Sequence, residues 1–277
     1  MTRATARALL LLAVVCGVSA TGAAQDWRRY GGFFRGPSRL ATPDSFDGSF
    51  NFCRLQYSSG RREEGGQGWR TDYPDADVNF SIRFSELTKT WVGKQPSGQP
   101  NHLVVDVGDD LLFNCPFVLV EDAGTIALDD NEVLALRQFL LKGGFVWADD
   151  FWGSRAWDAW VHELSRVLPP SEYPVRDLTN DHPLFRAMFD VDVIPQIPSI
   201  QFWRRSGGGT SERGFDSEEP HIRGISDAHG RLMVLMTHNT DISDAWEREG
   251  EDPRFFLNFS PKGYAVGINA LVYAMSH

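Results

Sequence analysis

A surplus of positive charge is missing. The chain carries 27 Lys and Arg against 37 Asp and Glu, a net charge of -10, so its long-range field repels phosphate backbones and anionic lipid. Nucleic acid is therefore not an expected partner. Cysteine is scarce as well, with three in 277 residues, which excludes a disulfide-stapled scaffold. No apolar run reaches the roughly 20 residues that a membrane-spanning helix needs. The phosphate-cradling patterns G-x-G-x-x-G and G-x-x-x-x-G-K-[ST], the G-x-S-x-G and G-x-C-x-G nucleophile elbows, and the H-E-x-x-H and C-x-x-C metal spacings are all absent. No cofactor and no metal is expected on this ground. What remains is 42% hydrophobic residues and 23% charged ones, enough apolar mass for a large α/β domain or two small ones.

The first 24 residues have the order of a secretory signal peptide. Arg3 and Arg7 precede the apolar run Ala8 to Val15, and small residues follow at Gly17, Ser19, Ala20, Gly22, Ala23 and Ala24. Cleavage after Ala24 or Ala20 fits; bulky Val15 argues against lipid attachment at Cys16. The expectation is an exported protein, periplasmic or extracellular, with no transmembrane anchor after cleavage. Residues 25–49, rich in glycine and proline without a period, are read as an irregular arm, and 50–277 as the domain. Cys53 and Cys115 each lie in an apolar stretch and are read as buried structural thiols, with a bridge between them as the alternative.

Within the domain, strand-like runs alternate with helical ones. Strands are expected at Phe50 to Tyr57, His102 to Val107, Pro116 to Glu121, Gly144 to Asp149 and Arg231 to His238. Asp129 and Glu132 form a capping box ahead of a helix with Val133, Leu136, Phe139 and Leu140 on its buried face. A second helix after Ser154 presents Trp157, Trp160, Val161, Leu164 and Leu168 to the core. A third, near the C-terminus, presents Ile268, Leu271, Val272 and Met275. Alternation of this kind predicts an α/β fold with a mostly parallel sheet covered on both faces, because parallel neighbours need crossover helices. Residues 173–220 read as excursions from the core.

In open α/β sheets, ligands bind beyond the carboxyl ends of the strands, so the strand ends hold the candidate site. The strand ending in Ala148-Asp149-Asp150 delivers two adjacent carboxylates, which can face one crevice only if the chain turns sharply at the second. They can hold a hard cation, orient water or accept hydrogen bonds from sugar hydroxyls; alternatively they cap the next turn. A second cluster runs from Trp69 through Asp72, Tyr73 and Asp75 to Asp77, where Asp75 or Asp77 can equally cap a helix over Val78 to Leu87. Arg54 and Tyr57 end the first strand, and Arg54 has the simpler option of pairing with one of these acids. Thr237-His238-Asn239-Thr240-Asp241 is the third cluster, with His182 before Pro183 elsewhere. The expected ligand-binding set is Arg54, Tyr57, Asp72, Tyr73, Asp149, Asp150, His182, His238 and Asn239, with no catalytic residue assigned.

The pieces Phe52-Cys53-Arg54-Leu55-Gln56-Tyr57, Trp69 to Asp77, Pro116-Phe117, Leu136 to Asp150, Asp181-His182-Pro183-Leu184-Phe185 and Gly230 to Asp241 resemble a family known as domain of unknown function 4159. That family is similar to the class I glutamine amidotransferase-like fold and to trehalose-utilisation-type proteins. The resemblance implies a flavodoxin-like three-layer sandwich and export or membrane association. It also implies envelope assembly work, because some relatives accompany von Willebrand-type and MoxR-type ATPase components. In glutaminases of this fold the turn after the corresponding strand carries the nucleophilic cysteine; here Ala148-Asp149-Asp150 stands there. A carboxylate cannot form the thioester that glutamine hydrolysis requires, so glutaminase activity is not expected. The leading expectation is a catalytically divergent domain that binds a small molecule, carbohydrate or envelope partner. A carboxylate-dependent hydrolase acting on carbohydrate, and a structural component of an envelope complex, are the alternatives.

Overall fold

The computed structural model describes residues 38–277, so the signal-peptide reading and most of the expected arm lie outside the described residues. Residues 39–277 form one compact unit. Its centre is a seven-stranded sheet. In chain order its strands are β1 (Phe52–Gln56), β3 (His102–Asp106), β4 (Val118–Val120), β6 (Val146–Phe151), β7 (Arg176–Asp177), β8 (His221–Ser226) and β9 (Leu232–His238); the short pair β2 (Ser58–Ser59) and β5 (Ile126–Ala127) stands apart. The spatial order is β3-β1-β4-β6-β9-β8-β7. Every pairing from β3 to β9 is parallel, and β8 and β7 add antiparallel at the far edge.

The helices are α1 (Asp75–Thr88), α2 (Asp130–Leu141), α3 (Gly153–Val167), α4 (Ile200–Arg205), α5 (Asp244–Glu247) and α6 (Pro253–Ser276). Strand side chains alternate between faces, which divides the core in two. Phe52, Phe117, Leu119, Phe145, Trp147 and Leu235 face α1 and α6. Cys53, Leu55, Val118, Val120, Val146 and Ala148 face α2 and α3. The result is a three-layer α/β sandwich of flavodoxin-like form. Asp129 caps α2 through the expected box with Glu132. No helix among the described residues is long and apolar enough to cross a membrane.

Several expectations need correction. Cys53 and Cys115 are joined in a disulfide rather than held as thiols: their Cα atoms lie 6.1 Å apart, within bridging reach, at the amino-terminal half of the sheet. Residues 39–41, within the expected irregular arm, run along the outer edge of β3, where Leu40 pairs with Val104 in an isolated bridge. Strand β8 was not expected, because His221-Ile222-Arg223-Gly224-Ile225-Ser226 alternates polar and apolar residues around a glycine and gives only a weak strand signal. The C-terminal helix is far longer than its apolar tail suggested. It begins at Pro253 and passes through Pro261, Gly263 and Gly267, while Met275, expected in the core, is 47% exposed.

Those two glycines have a packing reason. A Cβ on Gly263 would sit 2.6 Å from the Cβ of Ala245, and one on Gly267 would sit 2.7 Å from the Phe80 ring. Helix α6 therefore lies close against α5, and α5 in turn anchors the loop that closes the site.

Candidate functional site

The sheet reverses its winding between β1 and β4, because β1 is followed by a crossover to β3 on one side and the chain later returns to β4 on the other. Loops diverge from the carboxyl ends of such a pair and leave a crevice. Period-2 alternation places Arg54 of β1, Glu121 just past β4, Asp149 of β6 and Thr237 of β9 on the α1/α6 face at these ends. The chain turns sharply at Asp150, as the pair of carboxylates required. Its φ is +49°, and Ala148 pairs with Met236 while Phe151 pairs with His238, so two residues of β6 oppose one of β9 in a bulge. Asp72 (φ +60°), Asp122 (φ +49°) and Asn239 (φ +62°) also hold the left-handed conformation around the same crevice. For residues with a side chain this backbone costs about 1 kcal/mol or more each, and such strain concentrates at functional sites.

Ser243 is the hub. Its Oγ lies 2.9 Å from Asp72 Oδ2, 2.7 Å from Glu121 Oε1 and 3.0 Å from Asp241 Oδ1, while its backbone N–H donates to Asp149 Oδ2 at 3.1 Å. The Asp149 strand end and the Asp72 loop thus meet at one buried serine. Asp149 Oδ1 also accepts from the Thr237 hydroxyl at 2.5 Å. The backbone N–H of Asp244 donates to Asp241 Oδ1 at 2.8 Å, and Asp244 Oδ2 accepts from the N–H of Ile200. Asp72, Asp77, Glu121, Asp149, Asp241 and Asp244 are all buried.

Two arginines neutralise part of this charge. Arg54, fully buried, pairs with Asp77 through Nη2, reaches Glu121 at 3.1 Å and donates to the Thr71 carbonyl at 2.7 Å. Burial alone would lower its pKa, but Asp77 and Glu121 raise it beyond the ordinary value. Arg248 pairs with Glu247 at 2.6 Å and lies 3.8 Å from Asp244. No arginine, lysine or histidine among the described residues comes within 4 Å of a carboxylate oxygen of Asp72, Asp149 or Asp241. Burial pushes Asp149 up to about 7 despite its hydrogen bonds. Glu121, Asp150, Asp241 and Asp244 are raised well above the usual carboxylate range, first by burial; neighbouring carboxylates add to the effect at each.

Of the expected set, Arg54, Asp72, Asp149 and Asp150 converge here. Arg54 takes its simpler option in pairing with Asp77, which means neither Asp77 nor Asp75 caps α1; the residue before α1 is Pro74, without a side-chain cap. Asp150 does not cap α3 either. That helix start is held by Asn239 Oδ1, which accepts from Gly153 N–H at 2.8 Å, and by Asp216 Oδ2, which accepts from Ser154 N–H at 2.9 Å. Instead Asp150 is half-buried and accepts from the Trp152 indole at 3.0 Å.

Tyr57 is buried beneath the crevice, where its hydroxyl donates to the carbonyl of Glu121 or Asp122. Tyr73 is buried as well and its hydroxyl meets Arg39 N–H and His102 Nδ1, so both tyrosines shape loops. His238 faces the opposite side of the sheet, between Phe151, Trp157 and His221, with its Nε2 on the Gly153 carbonyl. Burial lowers its pKa to about 4, so it stays neutral. His182 does not belong to the site. It starts the turn at Pro183, its Nδ1 accepts from Leu184 N–H, and its ring packs on Tyr273, whose hydroxyl meets the amino-terminal end of β9.

Glu121, Asp122, Asp241, Ser243 and Asp244 were not in the expected set. Glu121 ends an expected strand and Asp241 closes an expected cluster, so a search at strand ends reaches both; Ser243 and Asp244 have no signal beyond proximity to Asp241. The segment around Glu212 to Asp216 reaches the loop after β2, where Arg213 donates to the Glu64 carbonyl and lies 3.7 Å from Glu63. Phe215, in the same segment, is 93% exposed.

The family described as a domain of unknown function, DUF4159, matches residues 51–275. The chain belongs to it. No curated protein matches the chain. The match makes all seven strands of the main sheet, the Asp149-Asp150 bulge and the Ser243 hub part of the DUF4159 domain.

Proposed function

We propose that this chain is an exported binding protein whose amidotransferase-like domain has lost glutaminase chemistry and takes a hydroxyl-bearing small molecule or carbohydrate in the strand-end crevice. The observation that carries the reading is the Asp149-Asp150 bulge at the place where a glutaminase needs its cysteine. There the chain holds one sealed carboxylate and one largely buried carboxylate, Asp150, whose Oδ1 accepts from the Trp152 indole and whose Oδ2 receives no hydrogen bond from a described residue. A carboxylate oxygen with no internal donor can accept a hydrogen bond from a sugar hydroxyl. The two cysteines of the domain are tied together in a disulfide, so neither supplies a thiolate. Export is supported by the leader pattern and by that same disulfide, which persists in oxidising compartments.

Hydrolysis fits less well. A glycosidase needs two carboxyl groups that reach the scissile bond, whereas Asp149 is fully buried and held by Thr237 and Ser243. The test is thermal shift and glutamine turnover on the mature protein, with a panel of mono- and oligosaccharides. The expected result is a stabilising sugar, an affinity loss of about tenfold or more in Asp150→Asn with the fold intact, and no glutaminase activity. If no sugar stabilises the protein, if Asp150→Asn binds as tightly as the parent, or if glutamine is hydrolysed, the reading is wrong.

A further inference from the structure

We infer that Arg61 Nε and Asp122 Oδ1 form a hydroxyl-binding subsite beside Asp150, so that the crevice holds one sugar ring through two of its hydroxyls. The inference deepens the proposed binding role and rests on it. Strands β4 and β6 run parallel in register, with Val120 paired to Ala148. Two residues past this pair stand Asp122 and Asp150, each the second of an acidic dipeptide and each at φ +49°. Neighbouring strands lie about 4.8 Å apart, so the two carboxyl groups leave adjacent strand ends. Glu121 and Asp149 direct their oxygens to Arg54, Ser243 and Thr237; Asp122 and Asp150 make no hydrogen bond to any of those three.

Two buried polar atoms without partners mark the place. Asp122 is 1% exposed; its Oδ2 accepts from Gly68 N–H at 2.8 Å, whereas its Oδ1 receives no hydrogen bond. Arg61 Nε is also buried without a partner, although Nη1 pairs with Glu63 and donates at 2.9 Å to the Gly124 carbonyl, two residues beyond Asp122. The guanidinium is thus held against the turn that carries Asp122, yet the two side chains form no ion pair with each other. Gly66 keeps the loop close, since a Cβ there would strike the Asp122 carboxyl. Burial pushes Asp122 up to about 7 against the Gly68 hydrogen bond, and the charges that act on it are Glu63, Arg61 and Arg213. After burial, Asp122 is the group that raises Asp150 most. The carboxyl therefore faces Asp150 and the loops of the crevice. A donor and an acceptor left open together in a buried place are strongly disfavoured. A hydroxyl answers both, because it donates its hydrogen to the carboxylate and accepts from the guanidinium; an ammonium only donates, and a carboxylate only accepts. Asp150 Oδ2, which receives no hydrogen bond from a described residue, accepts from a second hydroxyl.

The experiment is calorimetric titration of the mature protein with D-glucose, D-galactose, D-mannose and the monodeoxy analogues of each, compared across the parent, Asp122→Asn, Arg61→Lys and Asp150→Asn. Expected is a sugar that binds the parent and loses about tenfold or more in affinity on removal of either of two hydroxyls. Asp122→Asn keeps an oxygen on Gly68 N–H and puts an NH2 donor where Oδ1 was, while Arg61→Lys keeps a charge for Glu63 but removes Nε; each should weaken that sugar by about fivefold or more. Asp181→Asn, an exposed acid outside the site, should bind as the parent does. Arg61→Lys should also bind one of the two deoxy analogues as tightly as it binds the sugar, a pattern that general loosening of the loop does not produce. Should Asp122→Asn fail to fold, Arg61→Lys and the deoxy series on the parent decide the matter. Deoxy analogues that all bind the parent like the sugar, or equal weakening of sugar and analogues in Arg61→Lys, overturn the subsite. So does parent-like binding in Asp122→Asn and Arg61→Lys while Asp150→Asn loses affinity; that result overturns this inference alone and leaves only a structural water between Arg61 and Asp122. Absence of binding by every sugar overturns it together with the proposed binding role.

Discussion

Arg54 shows how a single side chain sets the electrostatics of the floor. Its guanidinium lies fully buried between Asp77 and Glu121, with Nε also donating to Asp77 at 3.1 Å and 3.2 Å. A well-made buried pair adds little net stability, but removal of one partner strands the other charge. Arg54→Met is therefore expected to destabilise the protein by about 3 to 5 kcal/mol, measured as a shift in the urea midpoint, because two carboxylates lose their cation. A loss below about 1 kcal/mol would show that Asp77 and Glu121 are protonated and did not need the arginine. Sequence made part of this legible: Arg54, Asp72 and Asp149 stand out as charges within or beside apolar strands. It did not reveal that Asp77 rather than Asp72 takes the arginine, because that choice depends on the angle at which α1 meets β1.

At the scale of elements, α5 and α6 act together. Asp241, Ser243 and Asp244 sit on a loop and the first residue of a four-residue helix, which is too short to be stable by itself. Packing holds it: Trp246 lies against Trp147 and Phe80, and Ser260 of α6 donates to the Ala245 carbonyl at 2.7 Å. Gly267 lets α6 approach this tryptophan. Gly267→Ala should displace Trp246, cost about 1 to 3 kcal/mol by overpacking, and weaken ligand binding at the crevice, readable from a urea titration with and without a stabilising sugar. A stable variant with unchanged binding would show that α5 does not position the site. The glycines and Pro261 are also why only the end of α6 was legible, since the same residues read as helix breakers when their packing partners are unknown.

For the molecule as a whole, the direction of its pH dependence follows from the buried acids. Asp149 holds its proton up to about 7, against 3.8 for an ordinary aspartate, and Glu121, Asp150, Asp241 and Asp244 shift the same way. Between these limits the folded chain binds more protons than the unfolded one. The associated stability is fully present below about 4 and is lost as pH rises through about 7. Urea midpoints should accordingly fall from pH 5 to pH 8; a midpoint that rises over this window would contradict the assignment. The Cys53–Cys115 bridge offsets some of this internal repulsion. With a sequence separation of 62 between its ends it contributes about 4 kcal/mol in the chain-entropy account. The sequence by itself determined the class of fold, the two-faced sheet and the strand ends at which acids gather, because alternation of period 2 and helical periodicity are local properties of the chain. Only the tertiary structure decided the disulfide, the Asp150 bulge, the withdrawal of His182 and His238, and the meeting of Asp72, Glu121, Asp241 and Ser243. Asp72, Glu121 and the Asp241–Ser243 segment are far apart along the chain, and their contact depends on the order in which strands enter the sheet and on how closely α6 packs, neither of which any local pattern encodes.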